Sequence, residues 1–383
     1  MLALGYAVRT PIWQNPDEPA HVNYVRWLAE TRTLPELRPG DWDSALLSRL
    51  QNGTLLPTDS IDAIRYESWQ PPLYYLLATP VWVLGPASDD ARVVRLRLLG
   101  IVLGGLTLVV AYRAARYLLP EVLALAFPLV MVGVPMFTAV SASVSADPLA
   151  NLLAAALLIA LLRNADWRWL GVLLGLAIVT KLALVIFVPL ALWRSWRAVP
   201  LAGLAVLPWL AHQVTTYGWT DPLALARHAE VVADQPRFPG PSFEYTGDFL
   251  RVSFHSLWAQ FGWMAIPAPD GMYWMWGALM LVALLGLMLR PAWLRAPAWR
   301  LVLLTLLLAA LAYLAYNLTF QQFQARYLFT ALVPLCALLV RGWASVVPAR
   351  WRVVPPFAIA VLLLAMNAYA LTRVLTPGFA PIS

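Results

Sequence analysis

A short acidic stretch near the N-terminus carries the residues best suited to chemistry. Asp17 and Glu18 are adjacent, stand between two prolines and are followed by His21. The prolines restrict the backbone around the two acids and prevent a helix from running through them. Since carboxylates are costly in hydrocarbon, such a pair beside an apolar segment indicates a solvated loop or a reactive site. The same stretch would also cap a helix well, and a lone histidine such as His21 is more often structural than a ligand.

Four more groups of polar residues interrupt the apolar sequence. In chain order they are Glu67 with Gln70, Asp147, Lys181, and Arg326 with Tyr327. Acids and bases that gather on one face of an apolar protein indicate a functional site. We therefore predict that these groups lie on the same face of the protein as Asp17. His228 and His255 are weaker candidates.

Each of these groups also has a structural interpretation. Glu67 could be an ordinary loop charge, and Asp147, which precedes a proline, could cap the next helix. Lys181 could extend its side chain to the membrane interface, and Arg326 could contact lipid phosphates. Lys181 is the only lysine of the chain. Basic residues are more frequent on the cytoplasmic side of membrane proteins, so a lysine on the outer face is unusual, and this favours a functional role for Lys181. A functional role is also favoured for Arg326.

The composition is that of a polytopic membrane protein. The chain of 383 residues is 61% hydrophobic and 12% charged, whereas soluble domains have roughly 25% charged residues. The net charge of +7 does not indicate nucleic-acid binding, because the arginines fall in short clusters between apolar segments, as in cytoplasmic loops. The single cysteine, Cys336, excludes an intramolecular disulfide and a thiolate metal cluster.

The arginine clusters predict the topology. The apolar segment that begins at Leu73 and ends at Gly85 is short and contains Pro80, which favours an interfacial or re-entrant segment over a span. If it does not span, the positive-inside rule is satisfied by cytoplasmic clusters at 113–116, 163–168, 194–197, 290–300 and 341–352. Residues 15–94 then form a long first outer loop with an interfacial, amphipathic helix at Ala20–Thr31. Residues 217–271 form a second outer loop.

The apolar segments predict about eleven transmembrane helices. They are placed at residues 1–14, 95–118, 121–141, 148–163, 168–181, 182–197, 199–216, 272–290, 300–318, 327–343 and 354–372. The two segments that meet at Lys181 are short, so 168–197 could instead be one long tilted helix. With no internal repeat or soluble domain visible in the sequence, residues 1–383 are predicted to form a single membrane domain.

Glycosyl transfer would use this set of residues. A membrane-bound sugar donor is commonly a polyprenyl phosphate, whose anionic leaving group needs a cation or a metal beside hydrocarbon. Lys181 and Arg326 would supply the cations, and a divalent ion such as Mg²⁺ or Mn²⁺ is the alternative. The acceptor hydroxyl needs a carboxylate base, for which Asp17 is suited, and direct displacement would invert the anomeric centre. Aromatic residues of the second outer loop could stack on the sugar or hold the lipid: Trp258, Phe261 and Trp263.

The order of these motifs resembles that of GT-C fold glycosyltransferases. Asn15–His21, followed by Tyr24-Val25-Arg26, is similar to the first outer-loop motif of that fold, in particular of bacterial Rgt-like, dolichyl-phosphate-mannose-mannosyltransferase-like and DUF2142-related membrane proteins. Further similar stretches are Gln70–Tyr75, Thr180-Lys181, Ser256–Trp263 and Gln324–Leu328. The resemblance covers nearly the whole chain.

The resemblance implies an all-α polytopic protein whose first outer loop holds the catalytic acid, here Asp17, with Glu18 orienting or assisting it. It also implies that Asp147 is the acid that touches a divalent metal or the acceptor in some relatives. No Asp-x-Asp motif occurs at either place, which argues against a tightly bound metal. The residues expected to bind substrate are His21, Glu67, Gln70, Asp147, Lys181, Gln260, Trp263, Arg326 and Tyr327.

The function expected from residues and resemblance together is transfer of a sugar from a polyprenyl phosphate to a glycan, lipid or protein hydroxyl. The site would face outward from the bacterial cytoplasmic (inner) membrane, and neither nucleic acid nor an obligatory cofactor is expected. Two alternatives remain open. One is a transporter or flippase of lipid-linked glycans, which would place its charges nearer the bilayer midplane within inverted repeats. The other is a non-catalytic scaffold for envelope assembly.

Overall fold

Helices account for almost all of the regular structure. The computed structural model describes residues 1–85 and 88–380, and 72% of the chain is helical. The helices are α1 Leu2–Arg9, α2 Glu18–Thr31, α3 Ser44–Gln51, α4 Leu73–Val83, α5 Asp89–Leu118, α6 Glu121–Val132, α7 Pro135–Ser141, α8 Asp147–Leu162, α9 Trp167–Ile178, α10 Phe187–Arg194, α11 Ala198–Tyr217, α12 Leu225–Val231, α13 Phe243–Trp258, α14 Asp270–Leu289, α15 Pro297–Asn317, α16 Leu332–Ser345, α17 Val354–Tyr369 and α18 Thr376–Gly378. Two short strands, β1 Gln260–Phe261 and β2 Ile266–Pro267, pair antiparallel. The predicted all-α class is confirmed.

Within residues 1–85 and 88–380, six helical segments are long and apolar enough to cross a membrane. They are α5, α11, α14, α15, the segment Ala325–Ser345 and the segment Ala349–Gly378. α6 and α7 together would make a seventh span, but they are bent by 70° just before Pro135, which cannot continue a helix.

The predicted number of eleven spans is not confirmed. The helices within three of the predicted spans, α8, α9 and α10, have 16, 12 and 8 residues, and α1, in the first, has 8. Each is shorter than the roughly 20 residues that a perpendicular crossing requires. Apolar composition continues through the breaks between these helices, so the sequence alone does not show where each helix ends.

The segment predicted to be the first outer loop packs as part of the protein. The helix predicted at Ala20–Thr31 is present as α2, which begins at Glu18. Its apolar residues join the main core beside α4, where the Tyr24 ring stacks on Tyr75 with centroids 3.7 Å apart. α4 has 11 residues with Pro80 inside it, about 17 Å of helix, as expected for a segment that does not span. Pro86 and Ala87 of the predicted loop lie outside the described residues.

Lys181 stands at a break in the helical path. α9 ends at Ile178, and a 3₁₀ turn, Leu182–Ile186, leads into α10. The Lys181 backbone itself is extended, with φ −158° and ψ 128°. The backbone N–H of Leu73 donates to the Val179 carbonyl at 2.9 Å, so the break is tied to the start of α4. Two elements are therefore present, and the alternative of one long helix over 168–197 is wrong.

The loop that leads to Asp147 is held by close packing on α5. A Cβ added at Gly100 of α5 would lie 2.7 Å from the Ser141 carbonyl oxygen and 3.0 Å from that of Ser143. Only glycine permits this approach. Gly100 therefore sets the position along α5 at which the loop before α8 packs.

Candidate active site

Residues from distant parts of the chain line one cavity of about 540 Å³. Eight of the predicted site residues contribute to its wall: Asp17, His21, Glu67, Gln70, Asp147, Lys181, Arg326 and Tyr327. They come from the start of α2, the loop before α4, the start of α8, the break after α9 and the 3₁₀ turn Ala325–Ala331. The fold thus brings these eight residues together, as the sequence predicted.

Asp17 is held in place from two sides. Its backbone has φ 65°, a left-handed conformation that is uncommon outside glycine. The Tyr66 hydroxyl donates to Asp17 Oδ1 at 2.7 Å, and Arg326 forms an ion pair with Oδ2. Burial raises the pKa of Asp17, but the positive charge of Arg326 and the hydrogen bond from Tyr66 outweigh burial and hold the pKa below its usual value. Asp17 is therefore ionised at neutral pH.

Arg326 connects the two aspartates, and Lys181 completes the cluster. The guanidinium that pairs with Asp17 also places Nη1 3.6 Å from Asp147 Oδ2. The other Asp147 oxygen pairs with Lys181 Nζ. Both cations lie against the Tyr327 ring, with Arg326 Cζ 5.3 Å and Lys181 Nζ 5.4 Å from its centroid. Two positive and two negative charges therefore balance within this part of the cavity wall.

Two further titratable groups line the same cavity. Burial, and next the negative charge of Asp17, raise the pKa of Glu67 to about 7. Its Oε2 has no hydrogen-bond partner in the part of the chain that the structure describes. Burial, with a smaller contribution from Lys181, lowers the pKa of His21 to about 4 although Asp17 opposes the shift. The neutral His21 ring shares a hydrogen bond of 2.8 Å between Nδ1 and the Tyr75 hydroxyl.

The rest of the cavity wall is largely apolar. Apolar side chains come from the 3₁₀ turn after Lys181, from the approach to α12 and from one side of α15: Leu182, Val185, Ile186, Leu223, Leu225, Ala309, Ala312 and Ala315. The three alanines follow one another at intervals of three residues on α15, so their small side chains leave space along one face. The cavity therefore joins a charged end to an apolar wall.

Two solved structures are similar to the chain over nearly its whole length. ArnT from Cupriavidus metallidurans bound to undecaprenyl phosphate gives a TM-score of 0.56 at 15% identity, covering 98% of this chain and 72% of ArnT. The apo state of that ArnT gives 0.50 at 16% identity, covering 97% and 71%. ArnT is a GT-C glycosyltransferase. The chain has the GT-C fold. No protein-family model and no curated protein matches the sequence.

Glu18 does not line the cavity. A catalytic role was predicted for it, but its contacts are with other parts of the fold. Its side chain is fully buried and forms an ion pair with Arg97, whose Nε and Nη2 donate to the carboxylate at 2.8 and 2.6 Å. Asn15 and the backbone N–H groups of Trp13 and Val144 also donate to it, at 3.1, 3.1 and 3.3 Å. Glu18 therefore holds the N-terminal segment against α5 and the loop before α8, which is a structural role.

Gln260 and Trp263, two of the predicted substrate contacts, do not line the cavity either. Gln260 Nε2 donates to the Met264 carbonyl at 2.9 Å within the small hairpin. Trp263 Nε1 donates to the Trp13 carbonyl at 2.9 Å. These contacts bind the hairpin together and attach it to the N-terminal segment that carries Asp17.

Several aromatic residues in the cavity wall or directly behind it were missed by sequence reasoning. Tyr66 supports Asp17, and Trp69 lies against the ring of His228 with centroids 4.9 Å apart. The Tyr316 ring meets Tyr327 edge to face at 5.6 Å. The sequence offered one signal for Tyr66 and Trp69: they lie on either side of Glu67, in the loop before α4 that was already predicted to contribute to the site.

The donor set does not suit a resident divalent cation. Among the described residues, no three His, Cys, Asp or Glu side chains are grouped for a metal. The two aspartates of the cavity are each neutralised by a basic side chain, Asp17 by Arg326 and Asp147 by Lys181. A metal ion bound by these two aspartates would have to displace both cations.

Proposed function

We propose that this protein is a membrane glycosyltransferase that moves a sugar from a polyprenyl phosphate donor to an acceptor hydroxyl. The observation that carries the proposal is the cavity itself. Its polar end holds two cations and three carboxylates, while the adjoining wall offers apolar side chains. A polyprenyl-phosphate sugar has the same division between an anionic group and a hydrocarbon chain. The GT-C fold and the undecaprenyl phosphate bound to ArnT support this assignment.

Lys181 and Arg326 would hold the donor phosphate. Both retain unused donors among the described residues: Lys181 Nζ uses one of its three N–H groups, on Asp147, and Arg326 Nε has no partner. Charge-assisted hydrogen bonds from such groups to phosphate are strong, and they strengthen further in a low-dielectric site. They would neutralise the charge that develops on the phosphate oxygen as its bond to the anomeric carbon breaks.

Asp17 would act as the base. The acceptor oxygen forms a bond to the anomeric carbon, its proton passes to the Asp17 carboxylate, and polyprenyl phosphate leaves from the opposite side, so the configuration inverts. Before the donor binds, Arg326 pairs with Asp17. A phosphate that takes over part of this guanidinium would leave the Asp17 carboxylate freer to accept a proton. Substrate binding and activation of the base would then be linked through one arginine.

The site would open on the outer face of a bacterial inner membrane. α8 begins at Asp147 beside the cavity and ends just before Arg163, and α16 leads away from Arg326 towards the basic residues at 341–352. The arginine clusters thus lie at helix ends remote from the cavity. The positive-inside rule assigns such ends to the cytoplasm.

A transfer assay in liposomes tests the proposal. Purified protein would receive labelled undecaprenyl-phosphate sugars and a membrane extract as acceptor, with and without EDTA. We expect transfer by the wild type that survives EDTA and falls at least about 100-fold in Asp17→Asn, the lower range for a positioned acid or base. Glu36→Gln, which alters an exposed carboxylate of the same loop, is the matched control and should transfer normally. Transfer by Asp17→Asn at the wild-type rate would exclude Asp17 as the base.

A further inference from the structure

A second cavity lies at the opposite end of the helices from the candidate active site. It measures about 520 Å³ and is bounded by α5, the end of α8 and α9. Asp147, in the first cavity, begins α8, whereas Arg163, in the second, follows its last residue. α8 has 16 residues counted from Asp147, so Arg163 lies about 24 Å from Asp147 along the helix. The two cavities are therefore distinct.

Two unpaired arginines define the charge of this second cavity. Arg113 of α5 and Arg163 both line it, and neither guanidinium has a hydrogen bond or an ion pair to any residue in 1–85 or 88–380. The one carboxylate in the wall, Asp166, caps α9 by accepting from the Arg168 backbone N–H at 2.8 Å. Both arginines are exposed, so the cavity has a net positive charge and guanidinium donors that no acceptor among the described residues occupies.

Apolar side chains form the remainder of the wall. They are Val110, Ala156, Ile159, Ala160, Ala165, Trp169 and Leu173. Trp169 is 69% exposed, which is typical of tryptophans at the membrane interface. The wall thus changes from cationic to apolar, and the cationic residues lie at the helix ends.

We propose that this cavity binds one anionic phospholipid. Its phosphate would lie between Arg113 and Arg163, and an acyl chain would lie along Ile159 and Leu173. Basic pockets between membrane helices on the cytoplasmic side are suited to such head groups, and guanidinium groups bind phosphate through paired N–H donors. A free phosphate would meet the arginines but leave the apolar wall uncovered. The proposal does not depend on the glycosyltransferase assignment, because none of these residues lines the first cavity.

Lipid binding by the purified full-length protein tests this site. Native mass spectrometry would measure retention of phosphatidylglycerol, of phosphatidylcholine and of inorganic phosphate. The variant Arg113→Gln/Arg163→Gln removes both cations. The control variant Arg295→Gln/Arg300→Gln removes two exposed arginines, one just before α15 and one in its first turn, and neither lines the cavity.

We expect the wild type and the control to retain phosphatidylglycerol over phosphatidylcholine. The Arg113→Gln/Arg163→Gln variant should bind phosphatidylglycerol about 30-fold more weakly, as expected for the loss of two basic residues that contact an anionic lipid. Leu173→Trp, which fills the apolar part, should weaken the lipid without weakening phosphate. Equal retention by the two double variants would overturn the proposal. Equal binding of both lipids, or inorganic phosphate binding as tightly as lipid, would do so too.

Discussion

Lys181→Met separates a role in donor binding from a role in charge balance. The substitution keeps most of the length of the side chain and removes its charge. Asp147, whose side chain is 7% exposed, would keep only Arg326, whose Nη1 lies 3.6 Å away. A buried polar group that loses its partner costs about 1–3 kcal/mol, so the free energy of unfolding should fall by that amount.

The effect on the donor is expected to be larger than the effect on folding. A hydrogen bond from a charged donor contributes about 1.5–3 kcal/mol, and every 1.4 kcal/mol is a factor of ten. The kcat/KM for the donor should therefore fall by about 10- to 150-fold. Initial rates as a function of donor concentration measure this loss, and thermal unfolding in the same detergent measures the stability.

A double variant distinguishes the two roles. Asp147→Asn/Lys181→Met contains no unpaired charge at this position, so most of the stability should return. Donor use should remain low, because the phosphate still lacks its cation. Lys181→Arg, which keeps the charge, should lose less than Lys181→Met. If the double variant recovers wild-type kcat/KM, Lys181 serves only to neutralise Asp147 and the reasoning is refuted.

Two further predictions concern the carboxyl groups of Glu67 and Glu18. The pKa of Glu67 is raised from an ordinary 4.5 to about 7, so the folded state binds this proton more tightly than the unfolded state does. The free energy of unfolding should therefore decline as the pH rises from about 4.5 to 7. Thermal unfolding of Glu67→Gln should lack this decline, and identical pH dependence in both proteins would contradict the prediction. Glu18→Gln leaves Arg97 without its counter-charge and should cost about 3–5 kcal/mol, with near-normal kcat for the folded fraction. A stable Glu18→Gln protein that is inactive would instead indicate a catalytic Glu18.

Much of the site was predictable because its residues are chemically unusual for their surroundings. Asp147, Lys181 and Arg326 each interrupt apolar sequence, and charges in such places are retained only where they have partners. The sequence therefore indicated which residues meet. It did not indicate the pairing, in which Arg326 lies between the two aspartates, because the pairing depends on helix packing between segments that are distant in the chain.

The division of roles between Asp17 and Glu18 was not predictable. The two acids are adjacent, but the left-handed backbone at Asp17 directs their carboxylates to different partners, Arg326 and Arg97. Arg97 lies near the start of the span predicted at 95–118, and its side chain is buried inside α5. An arginine placed a few turns into a helix resembles a flanking charge in sequence, and only the fold brings a carboxylate to it.

In the proposed reaction, one cavity would hold the hydrocarbon chain of the donor next to the charged cluster. Ala312 lies on the apolar wall of that cavity, and Ala312→Phe would fill part of it. Leu314→Phe enlarges an exposed residue of the same helix that does not line the cavity and serves as the control.

The decisive measurement is transfer from an undecaprenyl-phosphate sugar compared with transfer from the same sugar on a short, water-soluble polyprenyl phosphate. We predict that Ala312→Phe loses at least tenfold in kcat/KM with the long donor, as expected when a bulky side chain excludes buried hydrocarbon, and much less with the short one. Leu314→Phe should use both donors as the wild type does. Equal loss for both donors, or no loss for either, would contradict the account.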